Sequence, residues 1–219
     1  MPTITKITEQ KRRENRRNIF IDGRFAFGVN LNVVARFRLQ EGKSLTAEEV
    51  AEIEAGEVRQ ECFDHALKFL SQRLHSRAEL KQKLMRREYG DAVIDSVLDK
   101  LTELGYVDDK RFAVSKATSA AKHKHHGKRR AAQELIKSGV KGDVARQALN
   151  DVYEAHDSMA VARELARKKA PSLKRLDAQT ARRRLYGMLL RRGYSFDEIR
   201  PVVEEVLGAG EEADDKVSG

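Results

Sequence analysis

The residues of this chain best suited to chemistry are its cations, and they are clustered. From Arg163 to Arg192 stand Arg163, Arg167, Lys168, Lys169, Lys174, Arg175, Arg182, Arg183, Arg184, Arg191 and Arg192 against only two acids, Glu164 and Asp177. That local excess of +9 equals the formal net charge of the whole chain. A second cluster, Lys122, Lys124, Lys128, Arg129 and Arg130, encloses His123, His125 and His126. Cations at such density contact phosphates or an acidic protein patch through charge-assisted hydrogen bonds. On a helix Arg184 and Arg191, seven apart, share a face, while Leu185 and Leu189 turn to the core. Acids are too scarce in this stretch to pair most of its cations along the helix, which favours an external polyanion over a merely solvated face. The three histidines have poor helical spacing for a shared metal, and no carboxylate or cysteine adjoins them to complete a site. A contact with a polyanion that strengthens when they protonate is the better reading.

Other chemistries find less support. The string Gly105-Tyr106-Val107-Asp108-Asp109-Lys110-Arg111-Phe112 reads structurally: a glycine just past a helix end, an aromatic tucked into a module interface, and an aspartate cap for the next helix. Paired aspartates could hold Mg²⁺, but no phosphate-cradling loop accompanies them. Gly28 and Gly42 are isolated, so neither a P-loop nor a dinucleotide fingerprint occurs, and no nucleophile–base set has a credible context. We therefore expect a non-enzyme with no catalytic residue, cofactor or metal. Cys62 is the single cysteine, which rules out an intrachain disulfide; it starts a stripe with Ala66, Phe69 and Leu70 and reads as a small core residue. No apolar run is long enough to span a membrane and no signal segment is evident. A cytoplasmic monomer is expected, with no membrane partner. The pI of about 9.6 suits a polyanionic partner.

These residues must be positioned by helices. The chain is 40% hydrophobic with no Trp, 6% aromatics and three prolines, which favours aliphatic helix cores joined by short loops. The first 45 residues differ. Ile4, Ile7, Ile19-Phe20-Ile21 and Phe25-Ala26-Phe27 are β-formers, and Asp22-Gly23 between two of these runs is a hairpin signal. A three-stranded sheet is expected, with Lys11-Arg12-Arg13 and Arg16-Arg17 on the first connection and strand edge, then a short helix over 31–39. Ser44 and Thr46 are candidate caps for a helix starting near Ala47. From Val58 the period becomes helical. Taking Glu88, Gly139 and Gly193 as common reference, Leu84, Leu135 and Leu189 stand four residues earlier, Leu80, Ala131 and Leu185 eight earlier. Tyr89, Val140 and Tyr194 stand one later, and Ile94, Ala145 and Ile199 six later. With a helix preceding each pair, the unit is a three-helix module repeated three times. The expected fold is all-α, three tandem three-helix modules in an elongated curved array with a small N-terminal β-element. The divisions expected are a β-element over 1–45, a linker helix over 46–57, modules over 58–107, 108–155 and 156–208, and a disordered acidic tail over 209–219. One conflict stands: Ser195 and Glu198 form a capping box, yet Pro201 falls at the sixth position of the helix that box would start, demanding a kink or a later start.

The first module and its exit, Ala66-Leu67, Leu70, Arg73, Ser76-Arg77, Glu79-Leu80, Leu84, Leu104-Gly105-Tyr106-Val107-Asp108-Asp109 and Arg111-Phe112-Ala113, resemble the RecX family, regulators of the RecA recombinase. Gly127, Leu135 and Gly139-Val140 resemble the family's next segment, and Leu189 to Ser195 its last. Asn18 to Gly28 is similar to the extension of longer members. The Gly105 to Ala113 string is the most specific of these. The resemblance implies a protein that binds RecA and its single-stranded DNA filament and dampens ATPase, strand-exchange and coprotease activities, by helical modules lying in the filament groove. The two cation clusters are then the candidate RecA or DNA contacts. The rival reading is a nucleoid-like protein that binds DNA directly, without RecA. The basic, His-rich stretch 122–126 and the acidic tail depart from the family pattern.

Overall fold

The computed structural model describes residues 1–11 and 13–208; Arg12 and the expected acidic tail lie outside the described residues. The chain divides into two compact units, one over Met1–Val107 and one from Asp108 onward.

The first unit begins with an antiparallel sheet of β1 (Ile4–Gln10), β2 (Arg13–Ile21) and β3 (Arg24–Asn30), in that order. Asp22 and Gly23 both take positive φ, 49° and 79°, the backbone a tight two-residue hairpin needs. The inner face supplies Ile4, Ile19 and Val29 to a core completed by Val33, Leu39, Leu45 and Ile53. A short helix α1 (Leu31–Arg36) follows. Thr46 and Glu49 form a reciprocal capping box that starts α2, whereas Ser44 bridges to Thr3 instead. Helix α2 runs unbroken from Ala47 to Leu70, through the expected division between a linker helix and a module at 57/58. Its N-terminal half closes the sheet core through Ile53. Its C-terminal half, through Cys62 and Ala66, packs on α3 (Arg77–Met85) and α4 (Asp91–Glu103). The one residue that invites a break, Gly56, is buried, and a Cβ there would lie 2.7 Å from the Phe37 ring; the glycine's helix cost, about 0.5–1 kcal/mol, is the condition of that packing. Val58, where the helical period begins in the sequence, is 42% exposed. Cys62 is fully buried and burial pushes its thiol up to about 11, as a core residue requires.

The second unit holds α5 (Asp109–Lys122), α6 (Lys128–Lys137), α7 (Gly142–Glu154), α8 (Ser158–Lys169), a 3₁₀ turn (Ala170–Leu173), α9 (Ala178–Arg191) and α10 (Phe196–Leu207). The threefold register is evident in burial: Leu84, Leu135 and Leu189 are each completely buried, as are Leu80, Leu185, Ile94 and Ile199. The common reference is a single backbone event, since Glu88, Gly139 and Gly193 all adopt left-handed φ of 65°, 70° and 88°. Each reverses the chain between two packed helices. The Pro201 conflict resolves without a later start. The Ser195–Glu198 box is formed and α10 begins at Phe196. Pro201 and Asp197, whose carbonyl the proline leaves unbonded, are both exposed, so water can satisfy that group.

Candidate polyanion-binding surface

Helix α9 organises the cations of the second unit. Asp177 caps its N-terminus, accepting from Thr180 N–H at 2.8 Å, and those backbone bonds hold its carboxyl below the usual range. Ala181, Leu185 and Leu189 are buried, which turns Arg183, Arg184 and Arg191 outward, all exposed. The C-terminal end of α9 then meets the segment before α6 head-on. Gly127 N–H donates to Arg192 O at 2.8 Å and Arg129 N–H to Gly193 O at 3.3 Å. Orphan carbonyls at one helix end thus satisfy orphan amides at another, with the helix dipoles aligned head to tail. The approach is possible because both crossing residues are glycines. A Cβ on Gly127 would lie 2.4 Å from Gly193 O, and one on Gly193 would lie 2.4 Å from Arg130 N.

Side chains reinforce this joint. Arg130 donates to Arg191 O at 2.8 Å, Arg192 to Lys124 O at 3.1 Å, Tyr194 Oη to His125 O at 3.2 Å and Tyr153 Oη to His126 O at 2.7 Å. Burial pushes the Tyr194 phenol up to about 12 and raises that of Tyr153, so both stay donors at neutral pH. These bonds bring Arg191 and Arg192, at the end of the 163–192 cluster, against Lys124 and Arg130 of the second cluster, although the two are far apart in sequence. Sequence reasoning identified the cations but not the clamp, whose polar members are long-range hydrogen bonds with no local signature.

The sixteen candidates divide by their engagement. Lys124 donates to Glu134, Lys128 to Asn150, and Lys168 pairs with Glu164 along α8. Arg163 and Arg167 both grip Glu205 of α10, at 2.9 and 2.7 Å, which holds that carboxyl low, the Arg167 bond first. Arg182 reaches Gly208 O. Among the described residues, the side chains of Lys122, Arg129, Lys169, Lys174, Arg175, Arg183, Arg184 and Arg191 have no hydrogen bond or ion pair. The scarcity of acids within this stretch did not foresee Glu205, which reaches in from the next helix. His126 also differs from expectation. Burial lowers its pKa, despite Glu134 Oε1 lying 3.0 Å from Nδ1. The imidazole is held neutral at the joint and does not add charge to the surface. Burial opposes the ionised form of Glu134, but the hydrogen bond and charge of Lys124 outweigh it and hold the carboxyl low.

At the exit of module one, Gly105 takes φ 74° and Asp108 caps α5 by accepting from Lys110 and Arg111 N–H. Phe112 is buried, with Lys116 over its ring. Asp109 lies in the first turn of α5 and Arg111 is exposed. Tyr106, expected in a module interface, is 55% exposed. The turn at Gly105 satisfies the helix end with the tyrosine backbone, whose N–H bonds Leu101 O at 2.9 Å, and leaves the ring outside. Tyr194, which also follows a turn glycine but in the register stands with Tyr89 and Val140, is buried.

A small antiparallel sheet followed by tandem three-helix modules, the last two locked by a glycine crossing and covered in cations, defines a helical-repeat protein. Residues 2–46 match the family described as regulatory protein RecX N-terminal domain. Residues 62–101, 108–149 and 156–203 match the first, second and third RecX three-helix domains. The chain belongs to the RecX family of regulatory proteins. It is 33% identical to Regulatory protein RecX of Bacillus velezensis over 205 residues, covering 94% of this chain and 78% of that one. It is 31% identical to that of Bacillus subtilis over 216 residues, covering 99% and 81%. A crystal structure of regulatory protein RecX has the same fold, with TM-score 0.73 at 24% identity over 94% of this chain and 98% of that one. RecX from Lactobacillus salivarius superposes with TM-score 0.61 at 22% identity over 69% and 97%. Among the described residues no helix is long and apolar enough to cross a membrane.

Proposed function

We propose that this chain binds the RecA recombinase and its single-stranded DNA filament and inhibits ATPase, strand exchange and coprotease activity, acting by binding and not by catalysis. The carrying observation is the joint between α6 and α9, which brings the ends of two cation clusters together beside the exposed Arg183, Arg184 and Arg191 of α9, whose side chains have no ion pair among the described residues. Such a surface suits a polymer with regularly spaced acids or phosphates. Docking across adjacent protomers favours one filament state and opposes the motions of ATP turnover and strand uptake. Membership in a family of regulatory proteins supports this reading. Arg183, Arg184 and Arg191 are the test positions, because their side chains make no ion pair whose removal would unfold the unit. Their joint replacement by Glu is expected to raise the concentration needed to inhibit RecA ATPase by about tenfold or more. It should also flatten the salt dependence, by roughly 0.7 in log–log slope for each phosphate no longer neutralised. Unchanged inhibition rejects the proposal. Tight binding of the wild type to bare DNA at physiological salt, with no effect on RecA, favours the direct DNA binder instead.

A further inference from the structure

The outer face of the N-terminal sheet carries residues that the proposed function does not use. The register places Lys6, Phe20 and Phe25 in one cross-strand row and Thr8, Asn18 and Gly28 in the next. Ile7, Ile19 and Phe27 turn inward to the core, so their strand neighbours Lys6, Thr8, Asn18, Phe20 and Gly28 face the other way, and the register shift between Ile19 and Phe20 carries Phe25 to the face of its partner Phe20. Phe25 is 60% exposed. Its ring centroid lies 5.9 Å from that of Phe20 at 77°, and an edge-to-face pair leaves a ring face open. Beside the rings the face is built from amides: Gln10 Nε2 donates to Asn18 Oδ1 at 2.8 Å. The Gln10 side chain also lies so close over Gly28 that a Cβ there would come within 2.6 Å of it. Cations mark both ends. Lys6 adjoins the rings, and Arg13 pairs opposite Gln10. Neither has an ion-pair partner among the described residues, whereas Arg16 is held by Glu57 and Glu61 and Arg17 by Glu9.

We infer that this face is a stacking platform for single-stranded DNA. An exposed ring offers a π-face to an unstacked base, side-chain amides bond base edges, and cations at the rim take the phosphates. A duplex keeps its bases stacked on one another and cannot use the ring. Strands about 4.8 Å apart and same-face residues about 6.6 Å apart along a strand give room for roughly two or three nucleotides. The stacking chemistry stands by itself; the choice of DNA over RNA rests on the proposed function. The test uses the full chain and the fluorescence anisotropy of a labelled oligothymidylate across a salt series. Phe25→Ala is expected to weaken binding about 5- to 100-fold, the loss typical of one stacked base. The salt slope should not change, because the same number of counterions is released. Phe25→Trp is expected to bind like wild type. Wild-type affinity in Phe25→Ala overturns the inference and leaves the RecA reading intact. Unchanged RecA inhibition in the arginine-reversed variant overturns that reading, while weaker oligothymidylate binding by Phe25→Ala still supports the platform. Tighter binding of oligouridylate RNA with the same Phe25 dependence overturns the assignment to DNA.

Discussion

Substituting Gly127 by Ala isolates the glycine crossing from every other term. Gly127 has φ −67° and ψ 162° and is the N-cap of α6; Gly90 has φ −69° and ψ 148° and is the N-cap of α4. Alanine suits both backbones, so each replacement gains about 0.4–1 kcal/mol from the unfolded chain and gives back a few tenths at the cap. These terms cancel between the two sites. The surroundings do not: nothing lies within 4 Å of a Cβ at Gly90, while at Gly127 it would meet Gly193 O at 2.4 Å, Gly193 C at 2.5 Å and Tyr194 N at 2.6 Å. All three are backbone atoms and cannot rotate away, so α9 must retreat and stretch the 2.8 Å bond from Gly127 N–H to Arg192 O. Overpacking of this kind costs about 1–3 kcal/mol, with up to about 1 kcal/mol more if that bond breaks. Urea unfolding of the full chain should therefore show Gly90→Ala within about 0.5 kcal/mol of wild type and Gly127→Ala about 1–3 kcal/mol below it, by the same packing argument. Equal midpoints for the two variants would refute the crossing, and with it the claim that it joins the two cation clusters.

The equivalent turn of the first module inverts the sign. Glu88 holds φ 65°, a conformation that disfavours any side chain by about 1–2 kcal/mol. Glu88→Gly should therefore raise stability by up to about 1 kcal/mol after the unfolded-state penalty, which a lower midpoint would contradict. The pH dependence follows from three histidines, His65, His75 and His126, each lowered from 6.5 chiefly by burial. The unfolded chain then binds more protons in the window below 6.5, so stability is full above it and declines as pH falls through it. Melting between about pH 8 and 6, above the carboxylate range, should show this decline and a shallower one in His75→Gln; a flat profile rejects the assignment.

Much of this molecule is determined locally. Asp22-Gly23 sets the hairpin because few other pairs accept two positive φ angles in succession. The Thr46 and Ser195 boxes and Asp108 start their helices because their side chains satisfy end amides within three residues. The threefold spacing of Leu84, Leu135 and Leu189 follows from helical periodicity alone, and the string around Gly105 carries the family. Tertiary structure decided what depends on partners distant in the chain. It made α2 continuous, because Phe37 needs Gly56 bare and both halves of the helix find a core. It left Tyr106 outside and took Tyr194 in, although both follow a turn glycine: Tyr194 is buried and donates to His125 O of the preceding module within its own unit. It bound Arg163 and Arg167 to Glu205 and left Arg183, Arg184 and Arg191 without partners. A cation's type and spacing follow from the chain; whether it is spent internally or left for a partner depends on which acid the fold brings within about 4 Å.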